Sequence, residues 1–219
     1  MTSSDNAVTL HGYFRSSAAY RVRIALNIKD IPHHLVRHHL RKGEQRADAY
    51  LRLNPQGLVP TLQSGGLILT QSLAIIEYLD ECYPEPALLP RTIAARARVR
   101  SLAYAIACDI HPIDNLRVLN YLRTVMGQSE DAVRLWYAHW VTEGFDAIET
   151  LLRDSDETGR FCHGDTPTLA DVCLVPQVAN ARNFNIDLQK YPLIVRIADD
   201  AAKLPAFEKA SPSHQPDAE

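Results

Sequence analysis

The sequence is short of several things, and each shortage excludes a class of protein. Only four cysteines occur in 219 residues, Cys82, Cys108, Cys162 and Cys173, and no two of them form a C-x-x-C pair. Neither a disulfide framework nor a cysteine zinc site is suggested, and the four read as free thiols of a reducing compartment. Long apolar runs are missing: stretches such as Leu67 to Leu69 and Leu73 to Ile76 fall far below the roughly 20 residues that a bilayer-spanning helix needs. A surplus of one charge is missing too, since Lys plus Arg number 23 against 26 for Asp plus Glu, a formal net charge of −3. No general field draws the chain to nucleic acid or anionic lipid. The opening segment Met1 to Ala7 has neither the basic start nor the apolar stretch of a secretory signal, so the expected location is the cytoplasm.

What the chain does hold is ordinary globular material, 46% apolar and 22% charged residues, over a length that suits one large domain or two small ones. Val8 to Tyr13 predicts a strand, and the four-residue spacing of Val22 with Leu26 and Ile24 with Ile28 predicts a helix over Ala18 to Ile28. Pro32 to His39 reads as a second strand, Arg46 to Leu53 as a short helix, and Val59 to Leu62 with Leu67 to Leu69 as a hairpin about Gly65-Gly66. An amphipathic helix over Gln71 to Tyr83 closes this half, so a small mixed sheet flanked by helices is expected. Pro84, Pro86 and Pro90 mark a linker over 84–92 between a domain of residues 1–86 and one of residues 91–219. The second half has helical period over Ile93 to Met126, Glu130 to Arg153, Thr168 to Arg182 and Tyr191 to Lys203, which predicts an all-α bundle. Thr168-Leu-Ala-Asp171 fits a capping box. Past Pro205 a single short turn is expected, then a loose tail over Ser211 to Glu219.

Three stretches could carry chemistry. Phe14-Arg15-Ser16-Ser17 stands where the first strand gives way to the first helix, so the serines fall at or near its N-cap. A helix start offers unpaired N–H groups and about half a positive charge, which suits an anion such as a thiolate. Capping alone accounts for a serine here equally well. Val59-Pro60 opens a short strand: a cis bond would leave the Val59 amide and carbonyl for an extended peptide ligand, while a trans bond would make Pro60 an edge proline. Thr70-Gln71-Ser72 opens the third helix with a side-chain amide, a hydroxyl and helix-start amides that suit a carboxylate, or that cap the helix. His33, His34, His38 and His39 do not suggest a metal site, because strand alternation sends them to opposite faces and no second cluster has zinc spacing. The Arg91 to Arg100 cluster reads as a solvated face or dimer rim, and Trp136 with Trp140 as core packing.

Taken in order, these stretches resemble the zeta class of glutathione transferases. The likeness lies in SSAAYRVRIAL at 16–26, RLNPQGLVPTL at 52–62, QSLAIIEYLDE at 71–81 and GDTPTLADVCLVPQVANA at 164–181, and runs from about residue 10 to 216. It implies a thioredoxin-like N-terminal domain that binds glutathione, an all-helical C-terminal domain for the substrate, and a homodimer. By motif, Val59 and a cis Pro60 would bind the cysteinyl backbone of glutathione, Gln71 and Ser72 its γ-glutamyl carboxylate, and Ser16 and Ser17 would face the sulfur. His39, Lys42 and Gln56 would reach the glycyl end, with His111 and Asn115 approaching from the helical domain.

The activity implied is glutathione-dependent cis-trans isomerisation of maleylacetoacetate or maleylpyruvate, both cis-alkene diacids that bear a ketone. Thiolate addition, bond rotation and elimination would return glutathione unchanged, so the nucleophile is borrowed and no protein cysteine is required. Lowering a thiol pKa by two units takes about 2.7 kcal/mol. One hydroxyl hydrogen bond to a charged sulfur, about 1.5–3 kcal/mol, plus a helix-start field of about 0.3–1 kcal/mol, is the right size. Arginine suits the planar carboxylates of the diacid, and Arg15, Arg182 and Arg117 are the candidates, with Arg100 and Arg123 equal to Arg117 as solvated helix charges. In the fingerprint, Ala18 stands where the class carries cysteine and Tyr20 where it carries tryptophan, which excludes any route through a protein thiol at 18. Two alternatives are a glutathione transferase or dehalogenase of small α-halo acids, and a non-catalytic binding module on the same fold.

Overall fold

The computed structural model describes residues 8–219; the segment Met1–Ala7, read above for a secretory signal, lies outside the described residues. The chain divides into two compact units, one of residues up to 87 together with 204–219, the other of residues 88–203.

The first unit is built on a four-stranded sheet of β1 (Val8–Gly12), β2 (His33–Arg37), β3 (Thr61–Ser64) and β4 (Leu67–Thr70), in the order β2-β1-β3-β4. β1 pairs β2 in parallel and β3 antiparallel, and β3 pairs β4 antiparallel. The register sets Leu35, Leu10, Leu62 and Leu69 in one row across the sheet, and Leu10 and Leu62 at its centre are fully buried. The parallel pair requires a crossover, and α1 (Ser17–Ile28) supplies it. Short α2 (Asp48–Leu51) follows β2, and α3 (Ser72–Cys82) packs on α1. Buried Lys29 fastens the end of α3 to α1, donating at 2.6 Å to Asp80 and to the carbonyls of Tyr83 and Pro86.

The end of the chain departs from expectation. Instead of one turn and a loose tail, residues 205–210 form α9 (Pro205–Ala210), followed by a 3-10 turn at Pro212–His214. α9 packs on α1 because polar groups of α1 are aimed at its carbonyls: Tyr20 Oη donates to Phe207 (3.3 Å), Asn27 Nδ2 to Ala206 (2.9 Å) and Arg23 Nε to Ala210 (2.8 Å). Residues 204–219 therefore fold with the sheet and not with the helical unit, where a division at 91–219 had placed them.

The second unit is helical: α4 (Ile93–Tyr104), α5 (Leu116–Thr124), α6 (Glu130–Arg153), α7 (Leu169–Asn183) and α8 (Pro192–Ala202). α7 is apolar nearly all round, as befits a helix enclosed between α4 and α8. Its start is the expected capping box: Asp171 accepts from Thr168 N (2.7 Å) and Thr168 Oγ1 (2.8 Å), and also from Cys162 N (2.8 Å). The single helix expected over Ile93 to Met126 is broken. A π turn at Ala105–Ile110 separates α4 from α5, and His111 N reaches back five residues to Ile106 O at 3.0 Å. Pro112 is the cause, since it has no N–H to continue the ladder and its ring crowds the carbonyl one turn earlier. Gly144 on α6 lies opposite this turn, where any Cβ would collide with Ile110. Arg98 also leaves the solvated role expected of its cluster and donates to Cys162 O (2.7 Å) and Thr158 Oγ1 (2.8 Å).

Candidate active site

The sheet register gathers the sequence candidates of the first unit. His11, one residue from the end of β1, pairs with Thr61, the first residue of β3, and Thr61 pairs with Thr70, the last of β4. The loop after β1, the Val59-Pro60 loop before β3 and the Gln71-Ser72 start of α3 thus converge at one end of the sheet. Tyr13 and Phe14 from the first loop pack with Tyr50 and Val59 into a small core, covered by Leu40 and Leu53, so the loops share one apolar support. Gly12 permits the turn from β1 into α1, where a Cβ would sit 3.3 Å from that of Ala19.

Ser16 is the N-cap of α1. Its backbone is extended and its oxygen accepts from Ala19 N at 3.2 Å, while Ser16 N closes a turn onto Tyr13 O at 3.0 Å. The cap occupies a lone pair of the hydroxyl and leaves its hydrogen to donate, so capping and anion binding are compatible in one side chain. Ser17, the first helical residue, is buried, and no acidic residue occupies the first turn. Arg15 is exposed, with its guanidinium 6.0 Å from the centre of the Phe14 ring.

Val59-Pro60 is cis. The ladder pairing of β3 begins only at Thr61, which leaves the Val59 peptide outside it. The preceding turn is held from within: Asn54 Oδ1 accepts from Gln56 N (3.1 Å), and Leu58 O accepts from Asn54 Nδ2 (2.7 Å) and Tyr50 Oη (2.6 Å). Gln71 has φ +69°, a conformation unusual for a residue with a side chain, and its amide donates to Gln56 Oε1 at 2.8 Å. Ser72 is buried, and its hydroxyl accepts from Arg21 Nη1 at 3.4 Å.

The histidines go separate ways. His33 Nδ1 lies 3.0 Å from Ile31 O, and His38 Nε2 lies 2.9 Å from His11 Nδ1, whose other nitrogen meets Gln63 Oε1 at 2.8 Å. Burial, then His11, holds the His38 pKa below the usual range. His39 caps the 3-10 turn at Leu40–Lys42: its Nδ1 accepts from Lys42 N (3.3 Å) and its Nε2 meets Glu219 Oε1 at 2.9 Å. Among the described residues no group of three or more His, Cys, Asp or Glu is placed to hold a metal.

His111, Asn115, Arg117 and Arg182 belong to the second unit. Asn115 caps α5 by accepting from Arg117 N (3.1 Å) and lies 3.4 Å from His111 Nε2. Arg182, expected to face a substrate carboxylate, is engaged with Asp199 of α8 at 2.7 Å, both groups about half exposed. Trp136 and Trp140 are half-buried and meet edge to face at 5.7 Å. An open cleft of about 510 Å³ is lined by Leu135, Thr142, Phe184 and Lys190 among others, and none of the sequence candidates lines it. Sequence reasoning missed the buried Arg23 and Asp114 and the half-buried Asp217. Asp114 has both carboxylate oxygens enclosed without hydrogen-bond partners among the described residues, and burial pushes its pKa up to about 8. Nothing in the pattern RVRIAL marks Arg23 as buried, because a helix covered on several sides has no polar face to betray an exception.

Two family models match the chain, the glutathione S-transferase N-terminal domain over residues 10–87 and the glutathione S-transferase C-terminal domain over residues 130–207. Maleylpyruvate isomerase of Ralstonia sp. is 50% identical over 208 residues, 95% of this chain and 98% of its own. A solved holo structure of a maleylpyruvate isomerase, a bacterial zeta-class glutathione S-transferase, superposes with TM-score 0.95 at 49% identity and covers 96% of this chain and 100% of that one. The maleylacetoacetate isomerase of Methylobacterium extorquens AM1, solved with malonate and glutathione, superposes with TM-score 0.94 at 40% identity and covers 96% and 99%.

Proposed function

The chain belongs to the glutathione S-transferase family, in its zeta class, and from that premise we propose the residues and substrate with which it acts as a glutathione-dependent cis-trans isomerase. The substrate is a cis-alkene diacid bearing a ketone, maleylpyruvate or maleylacetoacetate. Glutathione, when bound, supplies the thiolate whose reversible addition lets the double bond rotate.

The donor set at the sheet end fits this tripeptide. The observation that carries the reading is the Ser16 hydroxyl, which caps α1 through its oxygen and keeps its hydrogen for an anion at the helix start. Ser16, rather than buried Ser17, is the sulfur donor. The Val59 peptide pairs the cysteinyl backbone in β fashion, and Gln71 with Ser72 takes the γ-glutamyl carboxylate at the start of α3. His39, Lys42 and Gln56 serve the glycyl end; His111 and Asn115 are assigned to glutathione on the resemblance alone.

Arg15 takes one substrate carboxylate from its exposed position next to Ser16. Arg182 is assigned to the other on the resemblance alone; its half-exposed ion pair with Asp199 costs about 0–1 kcal/mol to give up. The protein acts in the cytoplasm, in keeping with four cysteines outside any disulfide, and as a homodimer, which would cover half-exposed Leu67 and Ile68 on edge strand β4. Incubation of the purified protein with catalytic glutathione and either diacid tests the reading: conversion of one of them to its fumaryl isomer is expected, and no turnover of either overturns it.

A further inference from the structure

One segment outside the assigned residues grips the loop that carries Ser16. The Phe14 main chain has two handles, one on each of the peptide groups that flank its Cα, and both are held from elsewhere in the first unit. Its N–H donates to Asp217 Oδ2 at 3.1 Å, and its carbonyl accepts from Arg23 Nη2 at 3.0 Å. Arg23, only 2% exposed, also reaches Tyr13 O at 3.4 Å, the carbonyl onto which Ser16 N closes its turn, and anchors itself on Ala210 O at 2.8 Å. Asp217 is not on a trailing end: Gln215 Nε2 donates to Lys209 O (2.9 Å) and Ser211 O (3.0 Å), and Ala218 N to Gln215 O (3.0 Å). Two residues further on, Glu219 meets His39.

We propose that Asp217 is a positioning residue for the isomerase reaction: by holding the Phe14 amide against Arg23 it fixes the peptide planes from which the Ser16 cap is set. Misplacing a donor by about 1 Å costs on the order of a hundredfold, so a loop gripped at both handles has a rate consequence, not only a stability one. The sign of the charge supports position over field. A carboxylate near an anion site opposes a thiolate, and the Arg23 guanidinium, whose positive charge Asp217 favours electrostatically, offsets it.

This rests on the proposed function, and wild-type protein tests that first: it must bind glutathione and show the ultraviolet absorbance of a bound thiolate. Thiolate absorbance against pH, glutathione affinity and steady-state rates are then compared for Asp217→Ala and Asp217→Asn. Asp217→Ala should lower the ionised fraction of bound thiol near neutral pH, and kcat with it, by about threefold to tenfold, while glutathione affinity moves less than about twofold. Asp217→Asn, which still presents an acceptor oxygen to Phe14, should stay within about twofold of wild type. Should Asp217→Ala not fold, Asp217→Glu, which overshoots the Phe14 amide by a methylene, takes its place with the same expectation. Unchanged thiolate in Asp217→Ala, even with a lower melting temperature, overturns the proposal, and so does an equal loss in Asp217→Ala and Asp217→Asn.

Discussion

Ser16 accepts the Ala19 amide at 3.2 Å through the same hydroxyl that remains able to donate, so a single side chain begins α1 and keeps a hydrogen for the anion position proposed at the helix start. Ser16→Ala removes both roles. The expected result is a fall in kcat/KM of about tenfold to a thousandfold and a stability loss of about 1 kcal/mol for the cap. Ser17→Ala should change the rate by less than about twofold. Steady-state kinetics with thermal melts check both, and a larger loss in Ser17→Ala would transfer the donor role to that residue.

Gln71 separates binding from stability. A side chain at φ +69° costs about 1–3 kcal/mol, of which Gln71→Gly should recover about 0.5–1 kcal/mol. The same change deletes the amide assigned to the γ-glutamyl carboxylate, so KM for glutathione should rise about tenfold with kcat little altered. Differential scanning calorimetry and glutathione titration should move in opposite directions; a variant that is both less stable and unchanged in KM refutes the assignment.

Asp114 gives a pH signature. The unfolded carboxyl releases its proton near its ordinary value of about 4, whereas the folded one, penalised by burial, holds it to about 8. Within that window the folded state binds the extra proton, so stability is greatest below it and declines as pH rises through it. Urea midpoints of wild type relative to Asp114→Asn should therefore fall between about pH 4 and about pH 8 and run level outside that range. A pH-independent difference would show that the carboxyl ionises normally.

Asp171 is fully buried and serves three donors, Cys162 N, Thr168 N and Thr168 Oγ1. Asp171→Ala leaves two main-chain amides enclosed and unpaired, and the expected destabilisation is about 2–4 kcal/mol. Thr168→Ala, which removes the hydroxyl that donates to Asp171 Oδ2 and accepts from the Asp171 amide, orphans one main-chain amide and should cost about 1 kcal/mol. Chemical denaturation of the two variants should rank them in that order.

The periodic parts of the fold were legible in the sequence. The bounds of α6, Glu130 to Arg153, follow from its repeat, and β1, β4, α3 and the capping box of α7 fall where turn and cap residues put them. The misread tail has its physical origin in long-range hydrogen bonding that a local pattern does not carry. The tail at 211–219 is polar and proline-rich, yet Phe14 and His39 are its partners, more than 170 positions away. Pro112 broke a helix whose apolar repeat continued past it. Of the proposed site, the three loops were readable from their motifs; the proposal of Ser16 over Ser17 rests on the cap geometry, and the ion pair of Arg182 with Asp199 needed the packing of α8 beside α7.

Because α9 supplies the carbonyl that Arg23 requires, the order of synthesis and the order of completion are reversed in this chain. A ribosome that has released residues up to 87 has made every strand of the sheet, yet Arg23 is still without Ala210 and the Phe14 amide without Asp217. The whole helical unit must emerge before the earliest-made unit can close, so a nascent or truncated polypeptide ending in the proline-rich link holds the serines in an unfinished cradle.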